Sequence, residues 1–176
     1  MLPLAESNPS KEGEVVEVNL GTIKPLSRVV EERFEADRDA LRLDNADVIV
    51  SAGAGVGGPD NMKSINELAE VLDAPLATTR KVVDLSWLPR QLQIGLTGRS
   101  VAPKLYVAVA VRGAFNHMVG IGRAKVVVAI NNDRNALIFK NCDYGIVGDY
   151  AEVVPLLSRE LRQVRIKYAK DSVQIP

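Results

Sequence analysis

Residues 47–55 read Asp47-Val48-Ile49-Val50-Ser51-Ala52-Gly53-Ala54-Gly55, a run rich in β-branched side chains that ends in small residues and glycine. Such a run is typical of a parallel strand covered on both faces. Similar runs occur at residues 75–79, 104–111, 125–130 and 144–148. Apolar residues recur at helical spacing after Pro59 and again from Val153. This alternation predicts an α/β fold, a doubly wound parallel sheet in a Rossmann-like, three-layer domain.

The composition of the chain limits its function. Its 176 residues, 47% of them hydrophobic, suffice for one domain with a sizeable core. Acidic and basic residues balance at 22 each, so nucleic acid is not an expected partner. The single cysteine, Cys142, excludes an internal disulfide and fits a reducing, cytoplasmic setting. No apolar run is long enough for membrane insertion, and no secretion signal is recognised.

A change in composition near residue 13 predicts the domain boundary. Residues 1–12 are rich in Pro, Ser, Asn, Lys and Glu, and we expect them to form a flexible arm or linker. The folded domain is expected to span residues 13–176. It would open with an edge strand at residues 14–18 and a helix that begins at Pro25.

Ligands of a doubly wound sheet bind beyond the carboxyl ends of its strands, so the loops after the strands form the candidate site. These loops contain glycine and small polar residues, without a nucleophile, a base or a metal cluster, which favours cofactor binding over hydrolysis. Residues 53–58, with four glycines, admit two interpretations that the sequence leaves equally open. They form a cradle for a phosphate group, or they are an ordinary turn between strand and helix.

The order and spacing of these loops resemble the C-terminal FAD-binding domain of the electron-transfer flavoprotein alpha subunit, a DHS-like NAD/FAD-binding fold. The segments that carry the resemblance are Gly53-Ala54-Gly55, Thr79-Arg80, Gly95-Leu96-Thr97-Gly98, Gly113-Ala114-Phe115-Asn116-His117, Ala129-Ile130-Asn131-Asn132-Asp133 and Asp143-Tyr144-Gly145. The likeness runs from about Glu14 to about Glu160. It implies an FAD-binding domain that carries electrons rather than an enzyme that converts a substrate.

The resemblance also implies a set of cofactor-binding residues. They are Ala54, Thr79, Arg80, Ile94, Gly95, Leu96, Thr97, Arg112, Gly113, Ala114, Phe115, Asn116, His117, Asn131, Asp149 and Tyr150. By this resemblance, Arg80 is expected to lie near the flavin ring and to stabilise its anionic forms. The Thr97 hydroxyl hydrogen-bonds flavin N5, and His117 donates a hydrogen bond toward flavin O2. Asp149 has two open roles, as an acceptor for the FAD ribose or as the N-cap of a helix.

Three positions depart from the family's pattern. Ala54 replaces the usual arginine, Leu96 a glutamine and Asn132 a lysine. Two expected cations are therefore missing. Arg112 stands where serine is usual, and we expect it to face the FAD pyrophosphate and offset that loss.

The predicted function is electron transfer between a dehydrogenase and an acceptor. One domain closes only one side of an open crevice, so the resemblance implies a beta-type subunit as partner, or self-association in its place. An apolar rim near Trp87, Leu88 and Leu96 is the expected contact. Two alternatives stay open: an adenine-nucleotide-binding module without redox activity and, less favoured, a small NAD-dependent dehydrogenase.

Overall fold

A computed structural model of the chain describes residues 16–17 and 42–172, with side chains described through residue 165. Val16 and Glu17 have no regular secondary structure. The predicted arm over residues 1–12, the boundary at residue 13, the remainder of the strand at 14–18 and the helix from Pro25 lie outside the described residues. All elements below belong to the unit Glu35–Pro176.

The described residues contain one sheet of five parallel strands. They are β1 (Val48–Ala52), β2 (Leu76–Thr78), β3 (Leu105–Val109), β4 (Val126–Asn131) and β5 (Tyr144–Val147). Their order in the sheet is β2-β1-β3-β4-β5, and every neighbouring pair is parallel. The register places Val50 of β1 beside Val107 of β3, and Val107 beside Val128 of β4. The predicted doubly wound parallel sheet is confirmed.

Helices connect the strands. The α-helices are α1 (Lys63–Val71), α2 (Arg80–Asp84), α3 (Phe115–Ile121) and α4 (Tyr150–Ser172). Short 3-10 helices cover Ala54–Val56, Pro59–Met62, Arg90–Leu92 and Leu137–Lys140. Pro59 opens the segment that leads into α1, where its fixed φ and missing N–H suit a first turn. In the part of the chain that the structure describes, no helix is long and apolar enough to cross a membrane.

β1, β3 and β4 are largely buried on both faces because their apolar side chains alternate between two cores. On one face Val50, Val107 and Ile130 pack with Leu68 of α1 and Val154 of α4. On the other face Ile49, Tyr106 and Ala129 pack with Ile121 of α3. The residues of β5, at the edge of the sheet, are exposed. Double burial explains why the strands read as nearly continuous apolar runs. The three-layer arrangement predicted from the sequence is confirmed.

β1 ends at Ala52, directly before the glycines, and buries Ser51 within the sheet. One strand end differs from the sequence prediction. β3 stops at Val109, although the apolar run continues to Val111. The reason is Ala110, whose φ of 52° lies in the left-handed region and ends the extended backbone.

Candidate functional site

A cleft of about 730 Å³ lies beyond the carboxyl ends of β1 to β4. From β1 the chain leaves to one side and forms β2, and it then returns across β1 to form β3 on the other side. Connections that diverge in this way leave a crevice between β1 and β3 where doubly wound folds bind ligands. The volume falls in the range of roughly 300–1,000 Å³ that small-molecule sites occupy.

The cleft brings together residues from four loops. The sequence-predicted residues that line it are Ala54, Thr79, Arg80, Arg112, Gly113, Ala114, Asn116, His117 and Asn131. Other lining residues are Gly55, Lys81, Ala110, Val111, Asn132, Asp133 and Ala136. The predicted residues that do not line it are Ile94, Gly95, Leu96, Thr97, Phe115, Asp149 and Tyr150.

The glycine loop after β1 is held against the end of β3. The N–H groups of Gly53 and Gly55 donate to carbonyl oxygens there, at 2.8 and 3.3 Å, and those of Val56 and Gly57 donate within the loop itself. A Cβ atom on Gly53 would collide with the Ala110 carbonyl, so only glycine permits this approach. These four N–H groups are committed to protein acceptors. Their geometry favours a strand-to-helix turn over a phosphate cradle.

The lining of the cleft carries excess positive charge. Arg80, Lys81 and Arg112 line it, whereas Asp133 is the one acidic residue among the lining residues. Arg80 forms an ion pair with Asp84 at 3.5 Å, and both side chains are largely exposed. Exposed pairs of this kind contribute little free energy, so the guanidinium stays available to an anionic ligand. The cleft therefore suits a ligand with negative groups such as a diphosphate.

His117 is buried at the floor of the cleft with both ring nitrogens paired. Its Nδ1 lies 3.2 Å from the Ile94 carbonyl oxygen, and its Nε2 lies 3.0 Å from the Tyr106 hydroxyl. A carbonyl only accepts, so Nδ1 carries the proton. Burial lowers the pKa of His117 to about 4, against the smaller opposing effect of the Ile94 hydrogen bond. The ring is therefore neutral near pH 7, and the Tyr106 hydroxyl donates to Nε2.

The loop of residues 94–98 packs against α3. The Leu96 N–H donates to the Asn116 carbonyl at 2.7 Å, and a Cβ on Gly95 would lie 2.7 Å from that same oxygen. Gly95 has a φ of 136°, which an L side chain rarely adopts. The loop is thus fixed to two lining residues of the cleft, Asn116 and His117. Thr97 at its tip is exposed, and its hydroxyl accepts from Gln93 Nε2 at 3.0 Å.

Asn131 holds two strand ends together. Its Nδ2 donates to the Val111 carbonyl at 2.8 Å, and its Oδ1 accepts from the Asp133 N–H at 2.9 Å. The side chain joins the loop after β3 to the loop after β4. Asn131 therefore shapes the wall of the cleft, and one Nδ2–H remains for a ligand.

Asp149 and Tyr150 have structural partners at the start of α4. Asp149 Oδ1 accepts from the Ala151 N–H at 2.8 Å, which is the N-cap role that the sequence left open. The Tyr150 hydroxyl donates to the Val56 carbonyl at 2.9 Å and so ties α4 to the loop after β1. Tyr150 lines a separate pocket together with Lys63.

Exposed apolar side chains lie beside the cleft, but not all where the sequence predicted them. Trp87 and Leu88 are half-buried and pack against the core beneath the sheet. Leu96 is 59% exposed, as predicted, and it is joined by Phe115 at 75% and Val119 at 41%. Phe115 and Val119 are four residues apart on α3 and therefore share one face of that helix.

The predicted set lacked the seven other lining residues named above, Lys81 among them, and two residues that contact predicted ones, Gln93 and Tyr106. Lys81 directly follows Arg80 at the start of a helix, and a second basic residue there was an available signal. Gln93 and Tyr106 gave no such signal. Tyr106 belongs to an apolar strand, and Gln93 belongs to no motif, so only the fold shows that they contact His117 and Thr97.

Comparisons with known proteins agree with the fold and the cleft. Residues 42–122 match the family described as Electron transfer flavoprotein FAD-binding domain. The chain is 40% identical over 162 residues to the electron transfer flavoprotein subunit alpha of Bacillus subtilis, covering 92% of this chain and 50% of that protein. It is 37% identical to the Megasphaera elsdenii subunit alpha, covering 90% and 48% of the two chains. It is 39% identical to the mitochondrial subunit alpha of Arabidopsis thaliana, covering 90% and 45%. The chain spans about half the length of the curated relatives it matches.

Proposed function

Because the chain belongs to the electron transfer flavoprotein alpha-subunit family, we propose that it holds FAD in the cleft beyond β1 to β4 and serves in electron transfer. The observation that carries this proposal is a cleft at the switch point of the sheet lined by three cations, Arg80, Lys81 and Arg112, and one anion, Asp133. FAD, when bound, supplies the redox chemistry, and the chain supplies position and electrostatics.

The residues of the cleft fit such a cofactor. Lys81 and Arg112 are exposed cations that can pair with a diphosphate by charge-assisted hydrogen bonds. Arg80 supplies a permanent charge for the flavin ring. Thr97 keeps one hydroxyl proton to donate, because its contact with Gln93 uses only an oxygen lone pair.

His117 can donate a hydrogen bond toward flavin O2, its predicted role, only in one protonation state. A neutral imidazole has one N–H, and the Ile94 carbonyl takes it. Donation toward flavin O2 therefore requires a second ring proton on Nε2. Negative charge on the bound ring favours that proton, whereas burial opposes it.

The relatives are named as subunits, which supports a partner chain for this one. We propose a beta-type subunit on the exposed apolar side chains of Leu96, Phe115 and Val119, or a second copy of the chain in its place. The electron donor would be a dehydrogenase. The free thiol of Cys142 fits a cytoplasmic location.

Reconstitution with purified cofactors tests the proposal. FAD should bind more tightly than FMN, because the cations of the cleft can pair with the pyrophosphate and FMN lacks that group. Chromatography of the released cofactor identifies what the chain retains. Binding of FMN alone, or of NAD in preference to any flavin, would refute the proposal. The comparisons give no support to the alternative of an adenine-nucleotide module without redox activity.

A further inference from the structure

Gln93 is the only buried amide side chain that contacts the loop of residues 94–98 in the described structure, and it is held firmly. Only 4% of its surface is exposed. Its backbone N–H donates to the Arg90 carbonyl at 3.0 Å, and its backbone carbonyl accepts from the Arg99 N–H at 2.8 Å. It also pairs with Thr78, the last residue of β2. The backbone of Gln93 is therefore anchored on both sides, which fixes the point from which its side chain extends.

The loop closes tightly over Gln93. The Gly98 N–H donates to the Gly95 carbonyl at 2.9 Å, and a Cβ on Gly98 would collide with the Gln93 carbonyl. Thr97 lies inside this turn, one residue before Gly98. Its hydroxyl oxygen accordingly accepts from Gln93 Nε2 at 3.0 Å.

This contact fixes what the Thr97 hydroxyl can do. A hydroxyl has one proton and two lone pairs, and an amide NH₂ group only donates. When Gln93 occupies a lone pair, the hydroxyl proton is left for another acceptor. Thr97 is exposed, and its loop is fixed to the cleft-lining Asn116 by the 2.7 Å bond from the Leu96 N–H.

We propose that Gln93 is a positioning residue, which directs the Thr97 hydroxyl so that its proton is donated to N5 of the flavin ring. The inference rests on the proposed function, because it requires a flavin in the cleft. Gln93 itself touches neither the cofactor nor any reacting atom. It acts by occupying one of the two lone pairs of the Thr97 hydroxyl, which holds the oxygen in place and turns its proton away from Gln93.

The test compares binding of FAD with binding of 5-deaza-FAD, in which a C–H group replaces N5. The wild-type chain should bind FAD about tenfold more tightly, the equivalent of one net hydrogen bond. Thr97→Val and Gln93→Met should each bring the two affinities within about twofold, because both lose a directed donor. Gln91→Met, the same change at an exposed neighbour, is the matched control and should keep the wild-type ratio.

A stability measurement and a second variant keep the outcomes distinct. Urea unfolding shows whether Gln93→Met is folded. If it is not folded, Gln93→Asn replaces it: its amide is one methylene too short to reach Thr97, so this variant should also lose the preference for FAD over 5-deaza-FAD. A Gln93 variant that is folded and retains the full preference for FAD overturns the inference, and so does a wild-type chain that binds both flavins equally. A wild-type chain that binds neither flavin refutes the proposed function, and this inference with it.

Discussion

Acid should destabilise this chain through His117. Its imidazole is 7% exposed, and burial lowers its pKa from 6.5 to about 4. Above pH 6.5 the ring is neutral in both the folded and the unfolded chain, so pH has no effect through this group. Between pH 6.5 and pH 4 the unfolded chain binds a proton at this imidazole and the folded chain does not, so the free energy of unfolding falls as the pH falls. The full loss is about 3 kcal/mol, since each pKa unit corresponds to about 1.4 kcal/mol.

The assay is urea unfolding of the wild-type chain and His117→Gln at several values between pH 7 and pH 4. His117 is the only histidine, so the difference between the two pH profiles isolates it. The wild-type chain should lose about 3 kcal/mol more than the variant over this interval. Proton NMR gives an independent check, because the single imidazole ring should titrate near pH 4. A midpoint near 6.5 together with parallel unfolding profiles would refute the reasoning.

Three further predictions concern the cleft and the end of β3. Arg112→Ala should weaken FAD binding at least about tenfold by isothermal titration, since a charge-assisted hydrogen bond is lost, whereas the exposed Arg123→Ala should change it less than about twofold; equal effects would assign Arg112 to the general surface. Arg80→Ala should lower the reduction potential of bound flavin by the equivalent of about 1 kcal/mol in a dye-linked titration, and an unchanged potential would contradict its placement near the ring. Ala110→Gly should leave urea stability within about 0.5 kcal/mol of wild type, because relief of the left-handed backbone offsets the added chain entropy and the lost methyl group. Ala108→Gly, in the regular part of β3, lacks that relief and should cost about 1.5 kcal/mol; equal costs would show that Ala110 is unstrained.

The central strands β1, β3 and β4 were predictable from the sequence because both of their faces are largely buried, whereas the residues of β5 are exposed. Runs such as Val48–Ala52 carry β-branched residues without polar alternation, and a short run of that kind bounded by glycine is typical of a buried parallel strand. The order of the strands was not predictable, since no local pattern states which strands are neighbours. The end of β3 was mispredicted for a related reason. The apolar run continues past Ala110, but the approach of Gly53 and Gly55 from β1 requires the chain to turn there.

The site was predictable only where motifs mark it. Arg80, His117 and Asn131 belong to segments with a recognisable order, whereas Tyr106 pairs with His117 across the interior of the fold. The contacts made by individual arginines were not predictable from the sequence either. Arg99 reads as an ordinary surface residue, yet its guanidinium binds Asp44 at 2.6 Å and the Gln91 carbonyl at 3.0 Å. It is therefore a poor control for a cofactor-binding arginine, because its removal costs structural contacts.

In the cleft, the backbone N–H groups of the loop after β1 hold the fold together, whereas charged side chains are available to a ligand. In the loop after β1, the N–H groups of Gly53, Gly55, Val56 and Gly57 are already bonded to the end of β3 or within the loop. Full positive charge for an anionic ligand comes from side chains. The family's arginine and lysine are absent at Ala54 and Asn132, but Lys81 and Arg112 line the same cleft from the loops after β2 and β3. Since electrostatic attraction depends on where charge lies in space rather than on its place in a motif, cations carried by other loops can restore the field that these two substitutions remove.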